Sequence, residues 1–195
     1  MKRALDVAVA GLALVVCSPL FAVVALMVRL DSSGPAFFRQ ERVGLHGEPF
    51  RIHKFRTLRV GSAGPLVSPT KDPRITPVGA VLRRTKLDEL PQLIDVLGGS
   101  MSVVGPRPEV PGYVALWPDA QREVILSVRP GITDPASIVL RNEADELQAA
   151  EDPERHYVEV LLPRKAAMYV EYVETMSLRR DAAIVAKTVF AVLGH

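Results

Sequence analysis

Two adjacent carboxylates, Asp88 and Glu89, stand between a basic segment and a proline in the run RRTKLDELP of residues 83–91. An ionised aspartate can attack phosphorus, and a neighbouring carboxylate can hold a divalent cation that neutralises phosphates. Because Pro91 is tolerated in a first turn, we expect a helix to begin near Asp88, with its positive end and the nearby cations lowering both carboxyl pKa values. The plainer alternative makes Asp88 a helix N-cap and Glu89 a surface residue.

Cations from separate segments of the chain are candidates to join this pair. They are Lys54 and Arg56 in KFRT, Arg74 in DPRIT, Arg83 and Arg84 before the carboxylates, and Arg107 in GPRP. Catalysis of phosphoryl transfer consists largely of positioning and charge neutralisation, which is work for such cations and a metal. Taken singly, each of these residues is better explained as a surface charge, or as a membrane-surface anchor next to the hydrophobic N-terminus. The sequence has no Walker pattern and no GxGxxG, so it does not support P-loop or Rossmann nucleotide binding.

Composition excludes several other classes of protein. The 195 residues carry a net charge of +2, which gives no reason to propose a nucleic-acid binder. A hydrophobic share of 48% excludes a disordered chain. The single cysteine, Cys17, cannot form an internal disulfide, and with four scattered histidines it makes no zinc-type cluster.

An uncharged apolar run covers residues 7–28. As a straight helix it would be about 33 Å long, roughly one hydrocarbon thickness, so the first prediction is a single transmembrane helix. A cleavable signal peptide is a weaker alternative, because the run is longer than an h-region of about 7–15 residues.

The middle and the flanks of this run raise another alternative. Ser18 and Pro19 lie at its midpoint, where a proline removes a backbone donor and kinks a helix. Basic residues occur on both sides, so neither flank has the character of an outside face. The helix would then enter one leaflet and return, and Ser18 would bond to the carbonyl that the proline frees.

The rest of the chain predicts a mainly α protein with a small antiparallel β-hairpin. Residues 36–40 and 49–55 alternate apolar and polar side chains around a glycine-containing turn, which indicates the hairpin. Residues 61–77 are rich in Gly, Pro, Ser and Thr and are predicted to be a loop. Further helices are predicted at 78–84, from about 88 to the Gly98–Gly99 pair, at 111–128 with an interruption at Pro118, and from 163 with a break near 176–177.

Seven motifs occur in an order that is similar to one known family. They are GPAFFRQ (34–40), RVG (42–44), KFRT (54–57), DPRIT (72–76), LDELPQL (87–93), MSVVGPRP (101–108) and RPGIT (129–133). Together they resemble the bacterial sugar transferases, monotopic phosphoglycosyl transferases that load a sugar phosphate onto undecaprenyl phosphate. The resemblance covers nearly the whole chain and matches the family's minimal catalytic core.

The resemblance implies roles for the site residues. Asp88 would be the nucleophile and Glu89 its partner carboxylate, and the two would bind Mg²⁺. Arg107 would contact phosphate or the nucleotide. Lys54, Arg56 and Arg83 would support phosphate binding. The substrates would be a UDP-sugar and undecaprenyl phosphate, with UMP released through an aspartyl-phosphosugar intermediate.

The resemblance also implies a place in the cell. Residues 1–30 would form a re-entrant membrane helix broken at Ser18–Pro19, and residues 31–195 a cytoplasmic catalytic domain that lies on the membrane with amphipathic interfacial helices. The enzyme would act at the cytoplasmic face of the bacterial inner membrane, among membrane lipids. It would perform the first membrane step of exopolysaccharide, O-antigen, capsule or glycoprotein assembly, with downstream glycosyltransferases as further partners and no nucleic acid.

The sequence differs from the family's usual motifs at two places, and two alternative functions stay open. Lys86 stands where serine is frequent, and GITDPAS (131–137) replaces a more usual Gly-Ile-Thr-Gly run, so the sugar is not identified. A catalytically inactive scaffold is disfavoured by the intact Asp88–Glu89 pair and Arg107. A bitopic anchor with a basic adaptor domain is disfavoured by the Ser18–Pro19 break.

Overall fold

A computed structural model of the chain describes residues 1–62, 64, 67–69 and 71–193. The protein is mainly helical and contains a small antiparallel sheet, as the sequence predicts.

Helix α1 spans Lys2–Asp31 and continues through Pro19. An 18-residue window in it has a mean hydropathy of 2.6, and among the described residues it is the one helix long and apolar enough to cross a membrane. Pro19 has no N–H, so the carbonyl of Val15 lacks its usual helical donor. Ser18 Oγ donates to Val15 O at 2.8 Å and replaces that bond, which confirms the predicted contact. The predicted break at Ser18–Pro19 is therefore a single lost backbone bond, not an end of the helix.

The two long faces of α1 have different surroundings. One face packs on the rest of the protein, where Ala10 contacts α3 and Val24 and Val28 join a cluster with Phe55 and Leu82. The other face is exposed and apolar along its length, through Leu12, Val16, Leu20, Val23, Met27 and Leu30. An exposed apolar stripe of this length is typical of a surface that contacts a membrane or another protein.

The predicted hairpin is present. Strand β1 spans Phe37–Val43 and pairs antiparallel with β2, Pro49–Phe55, in a register from Phe37↔Phe55 to Val43↔Pro49. A turn over Leu45–Gly47 joins the strands, with positive φ at both His46 and Gly47. The first strand extends further towards the turn than the sequence predicts.

The segment after the hairpin leads into two short helices. Of the predicted loop at 61–77, residues 63, 65, 66 and 70 lie outside the described residues, and the others up to 76 contain no helix and only one isolated bridge, Leu58↔Ile75. Helix α2, Pro77–Arg84, is capped by Thr76, whose side chain accepts from Gly79 N. Helix α3, Gln92–Gly98, ends at Gly99 in the left-handed conformation, as the glycine pair predicts.

A parallel pair of short strands was not predicted. Strand β3, Ser102–Val104, pairs with β4, Gly131–Thr133. The backbones come so close that a Cβ on Gly131 would lie 2.1 Å from Gly105 N. Glycine is therefore required where the GPRP and RPGIT motifs meet.

Most of the remaining helices border the main hydrophobic core, and the last one packs through Ile184 against Val104 and Tyr172. They are α4 (Pro111–Val114), α5 (Asp119–Leu126), α6 (Pro135–Val139), α7 (Glu143–Ala149), α8 (Pro153–His156), α9 (Leu162–Thr175) and α10 (Leu178–Leu193), with a π-helical turn at Tyr157–Leu161. The interruption at Pro118 and the break before α10 occur where the sequence predicts them. Trp117, Leu161 and Tyr169 lie in the core that α4, α5 and α9 enclose.

Candidate active site

Asp88 and Glu89 lie in a tight turn that precedes α3. Lys86 adopts a left-handed conformation with φ 57° and ends the basic segment, and a 3-10 turn follows over Leu87–Glu89. Leu90 N donates to Leu87 O, and Pro91 has no N–H with which to continue an α-helix from this turn. The prediction of one helix beginning near Asp88 is therefore wrong. Asp88 is not an N-cap, and the α3 dipole does not begin at the carboxylates.

Glu89 is held by two cations from different elements. Lys54 Nζ, at the end of β2, donates to Glu89 Oε1 at 2.7 Å. Arg107 Nη1 donates to Oε2 at 3.1 Å, and Arg107 Nη2 donates to Oε1. The side chain of Glu89 is only 12% exposed, which excludes the surface role that the plainer sequence alternative gave it.

Asp88 is also largely buried but has a different environment. The residue is 7% exposed, and its Oδ1 has no hydrogen-bond partner among the described residues. A buried carboxylate oxygen without a donor is costly and needs a reason. Here the free oxygen is available to a cation or to an electrophile.

The two carboxyl pKa values move apart. Burial and the charge of Glu89 raise the pKa of Asp88, against the smaller opposing effect of Lys54. Burial alone would raise the pKa of Glu89, but Arg107 and Lys54 outweigh it and hold that pKa well below its ordinary value. The expectation that both values fall is thus wrong for Asp88, because burial and a like charge exceed the attraction of the cations.

Arg83 lies on the far side of the turn, within a polar network. Its Nε donates to Thr57 Oγ1 and its Nη1 to Ser68 Oγ, both at 2.9 Å. Ser68 Oγ in turn donates to Asp72, which is ion-paired with Arg74. Burial lowers the pKa of Arg83, and the charge of Asp88 is the largest influence that raises it. Arg83 is therefore an electrostatic neighbour of the carboxylates.

Arg56 does not join these cations. Its guanidinium donates to Pro35 O at 2.7 Å, Ser32 O at 2.8 Å and Val28 O at 3.2 Å, with a further bond to Ser32 Oγ. These acceptors lie at the C-terminal end of α1 and just beyond it. In this structure Arg56 therefore holds the end of α1, where unpaired carbonyls need donors, and its role in phosphate binding stays a prediction.

A second buried network, which the sequence does not reveal, fixes the segment that carries Arg107. Arg42 Nη1 donates to Pro108 O at 3.1 Å and lies 3.5 Å from Glu109 Oε2. Glu109 also accepts from Tyr157 OH at 2.6 Å, and Lys165 Nζ lies 3.9 Å from its Oε1. Arg42 stands in the quoted RVG motif and Glu109 directly follows GPRP, so motif position could have indicated both. Tyr157 and Lys165 lie in no motif.

A small cavity adjoins the carboxylates. Its lining consists of Arg42, Ile52, Lys54, Gln92, Arg107 and Pro108. Lys54 and Arg107 connect it to Glu89. Two donors among the lining residues, Arg42 Nε and Gln92 Nε2, are buried and have no acceptor within the described part of the chain.

The carboxylates also bear on magnesium binding. Among the described residues no group of three or more His, Cys, Asp or Glu side chains could hold a metal. Mg²⁺ usually keeps several waters and binds through one or two carboxylates together with substrate phosphates, so a pair suffices. Asp88 Oδ1 fits this requirement because it has no donor. Both oxygens of Glu89 already accept bonds, so Glu89 would share its charge between a metal and two side-chain cations.

Comparison with known proteins gives a consistent result over the whole chain. The sequence model described as "Bacterial sugar transferase" matches residues 1–195. UDP-glucose:undecaprenyl-phosphate glucose-1-phosphate transferase of Escherichia coli (strain K12) is 40% identical over 97% of this chain. A protein of the same name from Caulobacter vibrioides is 39% identical over 98% of it. The exopolysaccharide production protein ExoY of Rhizobium meliloti is 36% identical over 98% of it.

The relatives are longer than the region that matches this chain, and the matched share differs among them. The alignment spans 39% of the Escherichia coli protein, 69% of the Caulobacter protein and 84% of ExoY. In each case nearly all of the present chain is matched, including the motifs that form the site. The chain belongs to the bacterial sugar transferase family.

Proposed function

We propose that the protein is a phosphoglycosyl transferase that moves a sugar 1-phosphate from a UDP-sugar to undecaprenyl phosphate and releases UMP. The observation that carries the proposal is the asymmetry of the buried carboxylates. Glu89 is neutralised by Lys54 and Arg107, whereas Asp88 keeps an oxygen without a donor. The names of the relatives support the substrate class, since two are glucose-1-phosphate transferases acting on undecaprenyl phosphate.

The chemistry proceeds in two steps. A carboxylate oxygen of Asp88 attacks the β-phosphorus of the UDP-sugar, and the bond from that phosphorus to the bridging oxygen of UMP breaks. The sugar phosphate is then held on Asp88 as an acyl phosphate. A phosphate oxygen of undecaprenyl phosphate attacks the same phosphorus, and the Asp88 carboxylate leaves. Such covalent catalysis lets a soluble donor and a lipid acceptor use one small site in turn.

Positive charge around the turn favours this reaction. Lys54 and Arg107 lie against Glu89, and Arg83 is close enough for the Asp88 charge to affect it. They offset the negative charge of a diphosphate that enters beside two carboxylates. When magnesium is bound, Asp88 and Glu89 would hold it, and it would neutralise the diphosphate as UMP leaves.

The contacts at the ends of α1 favour a re-entrant arrangement. Near the start, Lys2 Nζ lies 2.5 Å from Asp181 Oδ2, and Arg3 Nη1 donates to Val96 O. Near the end, Asp31 accepts from Val78 N, and Arg56 bonds to Val28 O. Both ends therefore contact one folded body, which lies on one side of the bilayer, so α1 enters the membrane and does not leave on the far side.

Exposed apolar side chains outside α1 extend the surface that would face lipid. They include Phe37 and Phe38 on β1, Val81 on α2, Ile94 and Leu97 on α3, and Val189 and Phe190 on α10. Residues 1–30 would form the membrane helix and residues 31–195 the catalytic domain at the cytoplasmic face of the inner membrane. The product would enter exopolysaccharide or a related glycan through downstream glycosyltransferases.

A direct assay tests the function. Purified protein in detergent is incubated with undecaprenyl phosphate, Mg²⁺ and a panel of UDP-sugars, and UMP is measured. We expect UMP from at least one donor, and none in excess chelator. Absence of UMP with every donor would favour the inactive scaffold, and full activity in chelator would remove magnesium from the proposal.

A further inference from the structure

We infer that Gln92 is a further binding residue of this site and that its side-chain amide donates a hydrogen bond to a phosphoryl oxygen of a substrate. The inference rests on the proposed function. It concerns the small cavity lined by Arg42, Ile52, Lys54, Gln92, Arg107 and Pro108.

The position of Gln92 is unusual for a glutamine. The residue is 2% exposed, and its Nε2 has no acceptor among the described residues. A buried donor without an acceptor makes the folded state less stable. Most buried polar groups in native proteins are therefore hydrogen-bonded. Each unbonded group needs an explanation, and next to a substrate site a ligand oxygen can supply the missing partner.

The other lining residues indicate the chemistry of that partner. Arg42, Lys54 and Arg107 are cations, and Ile52 is apolar. The Pro108 carbonyl already accepts from Arg42. The residues that line the cavity thus carry two buried N–H donors without an acceptor among the described residues, Gln92 Nε2 and Arg42 Nε, together with positive charge. An anionic oxygen that only accepts hydrogen bonds satisfies this set, and a phosphoryl oxygen is such a group.

Two substrates could supply this oxygen, the diphosphate of the nucleotide sugar and the headgroup of undecaprenyl phosphate. Two lining residues, Lys54 and Arg107, bond to Glu89, the neighbour of Asp88, and in the proposed reaction both phosphates react at Asp88 in turn. The experiment therefore measures each ligand separately, with UDP as the probe for the first and undecaprenyl phosphate in detergent micelles as the probe for the second.

The test variant is Gln92→Met, which keeps the length of the side chain and removes the donor. Loss of a bond to a charged group should weaken binding of one probe on the order of ten- to a hundredfold, measured by titration calorimetry with Mg²⁺. Without ligand, the same variant should melt about 2–4 °C above the wild type, because an unsatisfied buried donor is gone. Gln121→Met, on α5 and outside the cavity, is the matched control and should change neither quantity.

The direction of the two changes separates binding from a structural role. Weaker UDP binding assigns the bond to the donor diphosphate, and weaker undecaprenyl phosphate binding assigns it to the lipid. Unchanged affinity for both probes overturns the inference, as does weaker binding together with a lower melting temperature, which would indicate a structural role for Gln92. Gln92→Glu provides a second variant of the same shape, and its added charge should weaken phosphate binding further. Because calorimetry with the wild type needs no turnover, failure of the UMP assay leaves this result readable.

Discussion

At the scale of residues, one turn of the backbone gives two neighbouring carboxylates opposite environments. Glu89 pairs with Lys54 and Arg107, which lower its pKa, whereas burial and the charge of Glu89 raise the pKa of Asp88. Divergent environments of paired titratable groups are a frequent basis for dividing catalytic roles. The division here suits a nucleophile next to a charge-compensated partner.

Replacing Asp88 by Asn tests the nucleophile. An amide cannot form the phosphosugar, so we expect UMP release to fall below a few per cent of the wild type. The raised pKa means that the folded state disfavours the charged carboxyl, a penalty present at neutral pH and relieved as the pH falls through the folded pKa. Asp88→Asn should therefore melt at a higher temperature than the wild type at neutral pH in chelator.

Asp119→Asn is the control for this substitution, because Asp119 is 91% exposed and remote from the turn in sequence. It should leave UMP release unchanged. Residual turnover of Asp88→Asn well above a few per cent would exclude covalent catalysis at this residue.

Replacing Glu89 by Gln should reduce both activity and stability. The neutral side chain leaves the positive charges of Lys54 and Arg107 without the carboxylate that compensates them. Breaking a buried ion pair costs about 3–5 kcal/mol. Urea unfolding would measure the loss, and the UMP assay over a magnesium series would measure the weaker use of metal. Activity that recovers fully at high magnesium with no loss of stability would contradict this account.

At the scale of elements, the end of α1 is held by a side chain from the residue that follows β2. Arg56 is 4% exposed and donates to carbonyls at and just beyond the helix terminus. Gly34, with φ 122°, lets the chain turn beside this guanidinium, where a Cβ would meet Val60 at 2.7 Å. The α1 terminus and the hairpin thus form one unit.

Arg56→Met should lower the free energy of unfolding by about 3 kcal/mol, because it leaves several carbonyls without donors. We expect little change in the KM for the UDP-sugar once the protein is folded. Arg107→Met, compared in the same assays, should impair donor use much more. If Arg56→Met raised the KM and left the stability unchanged, the result would support a role for Arg56 in phosphate binding.

At the scale of the whole molecule, α1 is long and apolar enough to cross a membrane, and it is also packed against the folded body. Asp6, on its first turns, accepts from Ser102 Oγ and Val103 N of β3. Val24 and Val28, near its other end, are buried against the hairpin and α2. Because the same folded body holds both ends of α1, we propose that the two ends lie on the same side of the bilayer.

Cysteine labelling in intact cells tests this topology. With Cys17 replaced by Ala, one cysteine is appended ahead of Met1 and another is placed by Ser33→Cys; both positions are exposed, and neither variant removes the Lys2–Asp181 pair. We expect neither site to react with a reagent that is confined to the periplasm, and both to react after permeabilisation. Labelling of either site from the periplasm would make α1 a spanning helix.

The sequence by itself determined the local features of this protein. The apolar run of α1, the two strands of the hairpin, the stop at Gly99 and the break before α10 all follow from hydrophobic periodicity or from Pro and Gly. Each of these patterns occupies the same short segment of the chain as the element that it predicts. For the same reason the Ser18 bond to Val15 could be predicted, because proline fixes which carbonyl loses its donor.

The tertiary structure alone decided which charges meet. Lys54 and Arg56 are two residues apart, yet one contacts Glu89 and the other contacts the end of α1. The three-residue strands β3 and β4 are too short to carry a period, and they pair through glycines from distant motifs. Burial of Asp88, the free Nε2 of Gln92 and the Lys165 network depend on contacts between segments far apart in the chain, which no local pattern encodes.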